Sequence, residues 1–130
     1  MFKLHPRLEK DSVLIKSFDL CQLRLIKDGD ISWFLLIPKK NGIVEINDLS
    51  RKDQDKFLDE LNQVLSICSL GNSYDKINVG ALGNIVEQFH FHIIFRLKND
   101  RAWPNPIWGT KMTKEFDDSK VDFWKEKFSV

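Results

Sequence analysis

The sequence predicts an α+β domain: an antiparallel sheet of about five strands, one long helix packed across it, and a short C-terminal helix. Three observations carry that reading. Five short apolar runs are joined largely by short loops, as in an antiparallel sheet. One stretch, from Ser50 to Gly71, repeats its apolar residues at helical spacing. The chain of 130 residues is one domain's worth, and 42% apolar content with ten Phe and four Trp suffices to fill a core instead of leaving the chain disordered.

Ser12 to Phe18 reads as a first strand and Leu20 to Lys27 as a second, although its alternation is loose. Asp28-Gly29-Asp30 is a turn signal. Ile31 to Ile37 follows as a strong strand, and Pro38, with no N–H to donate, ends its ladder, so the two runs form a hairpin. Ser50, with Asp53 three residues on, resembles a capping box at the start of the long helix. Phe57, Leu58, Leu61, Val64, Leu65 and Cys68 line one side of it, and Gly71 sits where a C-terminal cap belongs. Lys76 to Ala81 is the fourth strand and Glu87 to Leu97 the last. Trp103-Pro104-Asn105-Pro106-Ile107-Trp108-Gly109 is irregular, because each proline removes a donor. Asp118 to Phe128 forms a short helix with Val121, Trp124 and Phe128 on one side. The chain divides into a main domain, residues 1–109, and a tail, residues 110–130, carrying that helix.

Lys plus Arg is 20 and Asp plus Glu is 19, a net charge of +1. No polymeric nucleic acid is therefore expected as a partner, since neutralising phosphates along a strand needs a basic excess. The longest apolar run, Trp33 to Ile37, is too short to cross a bilayer. Met1 to Arg7 has no apolar signal-like region, and Cys21 and Cys68 lack metal spacing. The expectation is a cytoplasmic protein with two reduced, packed thiols and no membrane partner.

The chemistry is concentrated in Glu87-Gln88-Phe89-His90-Phe91-His92-Ile93-Ile94-Phe95. On a strand, Phe89, Phe91, Ile93 and Phe95 fall on one face and Gln88, His90 and His92 on the other. Two of the three histidines in the chain thus stand at i and i+2, against a strand packed on its reverse side. Two solvent-facing histidines are the plain alternative. A metal site on His90 and His92 is another, but zinc takes three or four protein ligands, and His5 and the cysteines do not complete such a set by spacing. The third reading is covalent catalysis: a neutral imidazole attacks phosphorus, while a protonated one beside it binds phosphate, stabilises charge and helps the leaving group depart.

Gln88-Phe89-His90-Phe91-His92-Ile93-Ile94 resembles the signature strand of the histidine-triad (HIT) superfamily, His-φ-His-φ-His-φ-φ with φ apolar. The order of hairpin, long helix, strand, loop and signature strand is similar to that family's over roughly residues 10 to 109. Gly80-Ala81-Leu82-Gly83-Asn84 resembles its small-residue approach to the signature, and the Trp103–Gly109 tail is similar to that of short bacterial members. The resemblance implies a HIT-like sheet, a homodimer in which two sheets join, and a small-molecule nucleotide substrate with no cofactor or metal required. It makes His90 the nucleophile, His92 a phosphate binder, and Asn84, six residues before His90, a phosphate-binding residue. Gln88 replaces the first histidine in the catalytic array; it cannot carry a proton at neutral pH, so it is expected to orient a neighbour or bind phosphate without serving as an acid. The nucleotidylyltransferase branch has its glutamine at the third place instead. Hydrolase branches often carry a histidine near Trp33 and an asparagine near Lys27. Lys27 is a weaker phosphate candidate, more in keeping with a surface lysine at a strand end.

Gly80 and Gly83 lack the Lys-Ser/Thr of a P-loop, and Asp117-Asp118 reads as a solvated cluster before a helix. Trp103 and Trp108 are foremost packing anchors for the tail, with Trp108 a secondary candidate for stacking a base at the active-site mouth. The leading function is a nucleotide hydrolase or nucleotidyl transferase acting at the α-phosphate through a nucleotidyl-histidine. A catalytically weak nucleotide-binding regulatory protein and a metal-binding domain on the His-x-His pair are the alternatives.

Overall fold

The computed structural model describes residues 1–129. Its strands are β1 (Ser12–Ser17), β2 (Cys21–Ile26), β3 (Ser32–Pro38), β4 (Lys76–Gly80) and β5 (Phe91–Arg96). Its helices are α1 (Pro6–Asp11), α2 (Arg51–Gly71) and α3 (Ser119–Lys127), with a 3-10 turn at Ile46–Asp48. The sheet order is β1-β2-β3-β5-β4, and every neighbouring pair is antiparallel. β3 and β4 therefore run the same way on either side of β5, and α2 is the crossover between them.

The main core lies between one face of the sheet and α2. Leu23, Leu25, Phe34, Leu36, Ile93 and Phe95 meet Phe57, Leu61, Val64 and Cys68 there, and Trp124 and Phe128 of the tail join the same cluster. The opposite face is covered too. Leu35 and Ile37 pack on Leu8 and Val86, while Trp33 and Ile94 pack on Ile31 and Ile107. β3 is thus buried on both sides, which explains why Trp33 to Ile37 is continuously apolar instead of alternating.

The cap at Ser50 forms as the sequence predicts, its hydroxyl accepting from the Asp53 N–H at 3.1 Å. Leu58 leaves the expected apolar side of α2 and is 55% exposed. Gly71 is not a left-handed cap, because the chain continues from Asn72 in extended backbone. Its role is clearance: a Cβ there would stand 2.9 Å from the Trp124 ring. Glu60, buried in the middle of α2, accepts from the backbone N–H groups of Leu20 and Cys21 at 2.9 and 2.8 Å, locking the helix to the start of β2.

Two differences from the sequence reading bear on function. The last strand begins at Phe91, not Glu87, so Gln88 and His90 precede it. The chain before β1 forms α1, with Pro6 in its first turn and the His5 imidazole accepting from the Arg7 N–H. At six residues α1 is too short for periodicity to reveal. It is held in place by tertiary contacts, chiefly Leu8 on the second sheet face.

The segment after β5 is pinned twice. Arg96, 1% exposed, makes two bonds to Asp100 (2.7 and 3.0 Å) and one to the carbonyl of Asn105, and Trp103 lies over its guanidinium. Arg101 reaches Asp28 and Asp30 in the β2–β3 turn, and Asp30 also accepts from Thr113 and Lys114. Burial opposes ionisation of Asp30, but the Thr113 N–H, the Arg101 guanidinium and the Thr113 hydroxyl outweigh it and draw the carboxyl down to about 2. Gly29 permits this docking, since a Cβ would collide with the carbonyls of Lys114 and Glu115.

Candidate active site

A cavity of about 300 Å³ opens on the second face of the sheet. His90 and His92 form its floor, with Asn84 and Val86 from the β4–β5 loop, Leu8 and Asp11 from α1, and Trp108 from the pinned segment. Gly83, at φ +70, helps that loop fold back before His90. The lining is mainly apolar around a small polar floor, the general make-up of a small-molecule site.

The two imidazoles lie 5.0 Å apart between centroids, and their hydrogen bonds give them opposite tautomers. Nδ1 of His90 is 2.6 Å from the backbone carbonyl of Gln88. A carbonyl only accepts, so Nδ1 carries the proton and Nε2 keeps its lone pair. Nδ1 of His92 accepts from the Trp33 indole N–H at 2.9 Å, so in His92 the proton is on Nε2. One ring presents a lone pair at Nε2 and the other an N–H.

The electrostatics agree. Burial lowers the His90 pKa, against the Gln88 carbonyl, which raises it, and with a further lowering from His5. Burial and then the neighbouring His90 push His92 down to about 3. These shifts run against the expectation of a protonated second imidazole. Burial of the ring and the donor facing its Nδ1 both favour the neutral form of His92.

The structure brings His90, His92, Asn84 and Trp108 together at the cavity. Trp108 stands edge-on to His92 at 5.3 Å between ring centroids. Gln88 does not stand in a row with the histidines. Its amide accepts from His5 N–H (2.8 Å) and donates to the Lys3 carbonyl (2.9 Å), so the side chain fastens the N-terminal segment and only the backbone serves His90. Lys27 is exposed just beyond β2 and does not line the cavity. Trp33, noted in the sequence only as a departure from a pattern, is the partner that sets the His92 tautomer; its one-dimensional signal was an indole on a strand that could pair with the histidine strand. Arg7 and Asp11 reach the cavity rim only because α1 folds over the sheet.

No group of three or more His, Cys, Asp or Glu side chains stands close enough to hold a metal ion among the described residues. Nor is any helix among them long and apolar enough to cross a membrane. Cys21 and Cys68 are free and buried, and burial raises both thiol pKa values, so neither is poised as a nucleophile.

The model of the HIT domain matches residues 7–99. A histidine triad protein from Bradyrhizobium japonicum is 36% identical, with a TM-score of 0.91 over 97% of this chain and 94% of that one. A HIT protein from Sinorhizobium meliloti 1021, also 36% identical, superposes with a TM-score of 0.90 over 97% and 93%. A histidine triad protein from Marinobacter aquaeolei VT8 is 34% identical, with a TM-score of 0.84 over 98% and 93%. No curated protein matches the chain. The paired histidines thus sit in a frame shared along nearly the whole length of these proteins, and the chain belongs to the histidine-triad (HIT) domain family.

Proposed function

We propose that this chain is a nucleotide hydrolase or nucleotidyl transferase working through a nucleotidyl-His90 intermediate. Family membership supports nucleotide-directed hydrolase or transferase chemistry in general. The observation that carries the finer reading is the opposed tautomers of His90 and His92 on the floor of one cavity. The Nε2 lone pair of His90 forms a bond to the α-phosphorus as the bond to the leaving group breaks, and that bonding pair departs with the leaving group. The Nδ1 proton stays against the Gln88 carbonyl, which stabilises the positive ring. Water or an acceptor then displaces the histidine. The Nε2–H of His92 and the amide of Asn84 donate to phosphoryl oxygens, and the apolar wall around Leu8, Leu35 and Val86 takes the nucleoside. No cofactor enters this scheme. Two copies joined along the open edge of β4 make the working unit; among the described residues β4 pairs only with β5, and Val79 on it is 48% exposed.

The test is release of nucleoside monophosphate from dinucleoside polyphosphates, nucleoside phosphoramidates and nucleotide sugars, by wild type and His90→Ala in parallel. The expected loss in His90→Ala is at least on the order of 10³-fold, with folding retained. Equal turnover by the variant removes His90 from the nucleophile role. Tight nucleotide binding without turnover by wild type favours the regulatory reading, which the diversion of the Gln88 side chain to the N-terminal segment also suits.

A further inference from the structure

We propose that Trp33 sets the leaving-group class of this site: its indole N–H holds His92 as a ring that donates a hydrogen bond but cannot surrender a proton, so the site takes nucleotides whose leaving group departs as a stable anion, phosphoanhydrides above all, and discriminates against phosphoramidates. The inference rests on the covalent histidine chemistry proposed above.

A histidine gives up a proton readily when it is an imidazolium, or when its other nitrogen can be reprotonated as it does so. Neither route is open to His92. An imidazolium carries a proton on both nitrogens, and a proton on Nδ1 would point at the Trp33 N–H, which is itself a donor at 2.9 Å. A neutral ring losing its Nε2 proton would become an imidazolate unless Trp33 passed its own proton across, and an indole N–H is a donor only, with no acidity near neutral pH. Trp33 is 9% exposed and packed among Ile31, Ile94 and Ile107, so turning its indole away from His92 would break that packing. The burial that lowers both imidazole pKa values acts in the same direction.

The other groups around the cavity do not replace the missing acid. Its charged lining consists of Arg7 and Asp11, ion-paired at 3.7 Å. A guanidinium does not deprotonate, and a carboxylate in an ion pair is a proton acceptor. His5 influences His90 but lies outside the lining, with its Nδ1 capping α1. On Nε2 attack by His90, a phosphate leaving group takes the P–O bonding pair and departs as an anion with no proton needed. An amine leaving group takes the P–N pair and must gain a proton as it goes.

The experiment compares kcat/KM at neutral pH for diadenosine tetraphosphate and adenosine 5′-phosphoramidate, with aryl esters of AMP spanning a range of phenol acidity. The ratio of anhydride to phosphoramidate is expected to be on the order of 100-fold or more, the usual worth of a positioned general acid. The aryl esters are expected to slow steeply as the phenol becomes less acidic. Trp33→His, which puts a proton-relaying ring beside His92, is expected to narrow the ratio at least about tenfold and add a pH-dependent limb to phosphoramidate cleavage. Trp33→Phe, which keeps the packing ring, gives a second variant should the first fail to fold. It frees His92 Nδ1, so the His92 pKa is expected to rise. Comparable wild-type rates on both substrates, or loss of phosphoramidate cleavage in His5→Asn alone, overturns the inference. A ¹⁵N NMR titration of wild-type histidines separates the two layers. Finding His92 protonated near neutral pH overturns the leaving-group inference even if His90-dependent turnover stands. Finding it neutral with no His90-dependent release of either substrate sinks the covalent reading, and the inference with it.

Discussion

Two histidines two positions apart have the same intrinsic chemistry, and their neighbours make them different. A carbonyl faces Nδ1 of His90 and an N–H faces Nδ1 of His92, so one ring exposes a lone pair and the other a proton. Keeping both neutral has a consequence for stability. Their folded pKa values lie below the unfolded value of about 6.5, so the unfolded chain binds more protons at acid pH. The stability this contributes is complete above about pH 6.5 and is lost as the pH falls toward the folded value, about 3 for His92. Each histidine contributes a slope of at most about 1.4 kcal/mol per pH unit. Asp30 and Asp100, held low by their partners, lose their share only below the unfolded carboxyl range near 4. Urea midpoints between pH 7 and 4 should therefore fall in wild type and fall less steeply in His92→Asn. Parallel profiles would show that His92 titrates as it does in the unfolded chain.

Among the elements, α2 does most to set the frame, and it does so with one carboxylate as well as its apolar stripe. Glu60 satisfies two backbone N–H groups where β2 begins, and removing it leaves both buried without a partner. Glu60→Ala should cost about 1–3 kcal/mol in chemical denaturation, and Glu60→Gln less, because the amide retains one acceptor oxygen. Equal stability of Glu60→Ala and wild type would mean that water takes over both donors. The helix was legible in the sequence because its apolar period and Ser50 cap are local signals. Gly71 was misread as a cap because the ring it clears, Trp124, lies far along the chain.

At the scale of the molecule, the sheet ends differ. β1 is flanked by α1 and α3, whereas among the described residues nothing pairs with the outer edge of β4, which exposes Val79. An unpaired edge invites strand addition from another chain. Analytical ultracentrifugation should give twice the monomer mass, and Val79→Lys should shift the equilibrium toward monomer. A wild-type monomer at micromolar concentration would remove the paired-edge arrangement.

The strands, apart from the start of the last one, the long helix, the terminal helix and the presence of the His-x-His pair were readable in one dimension. Each depends on near neighbours: the two-residue alternation around Phe91 and Ile93, the helical period from Phe57 to Cys68, and the turn at Gly29. The tertiary structure alone decided what the pair can do. Gln88 turned to Lys3 and His5, Lys27 went to solvent, and Trp33, 59 positions from His92, came to cap it. A tautomer is set by whichever donor or acceptor folding brings to a ring nitrogen, and no local pattern encodes that partner.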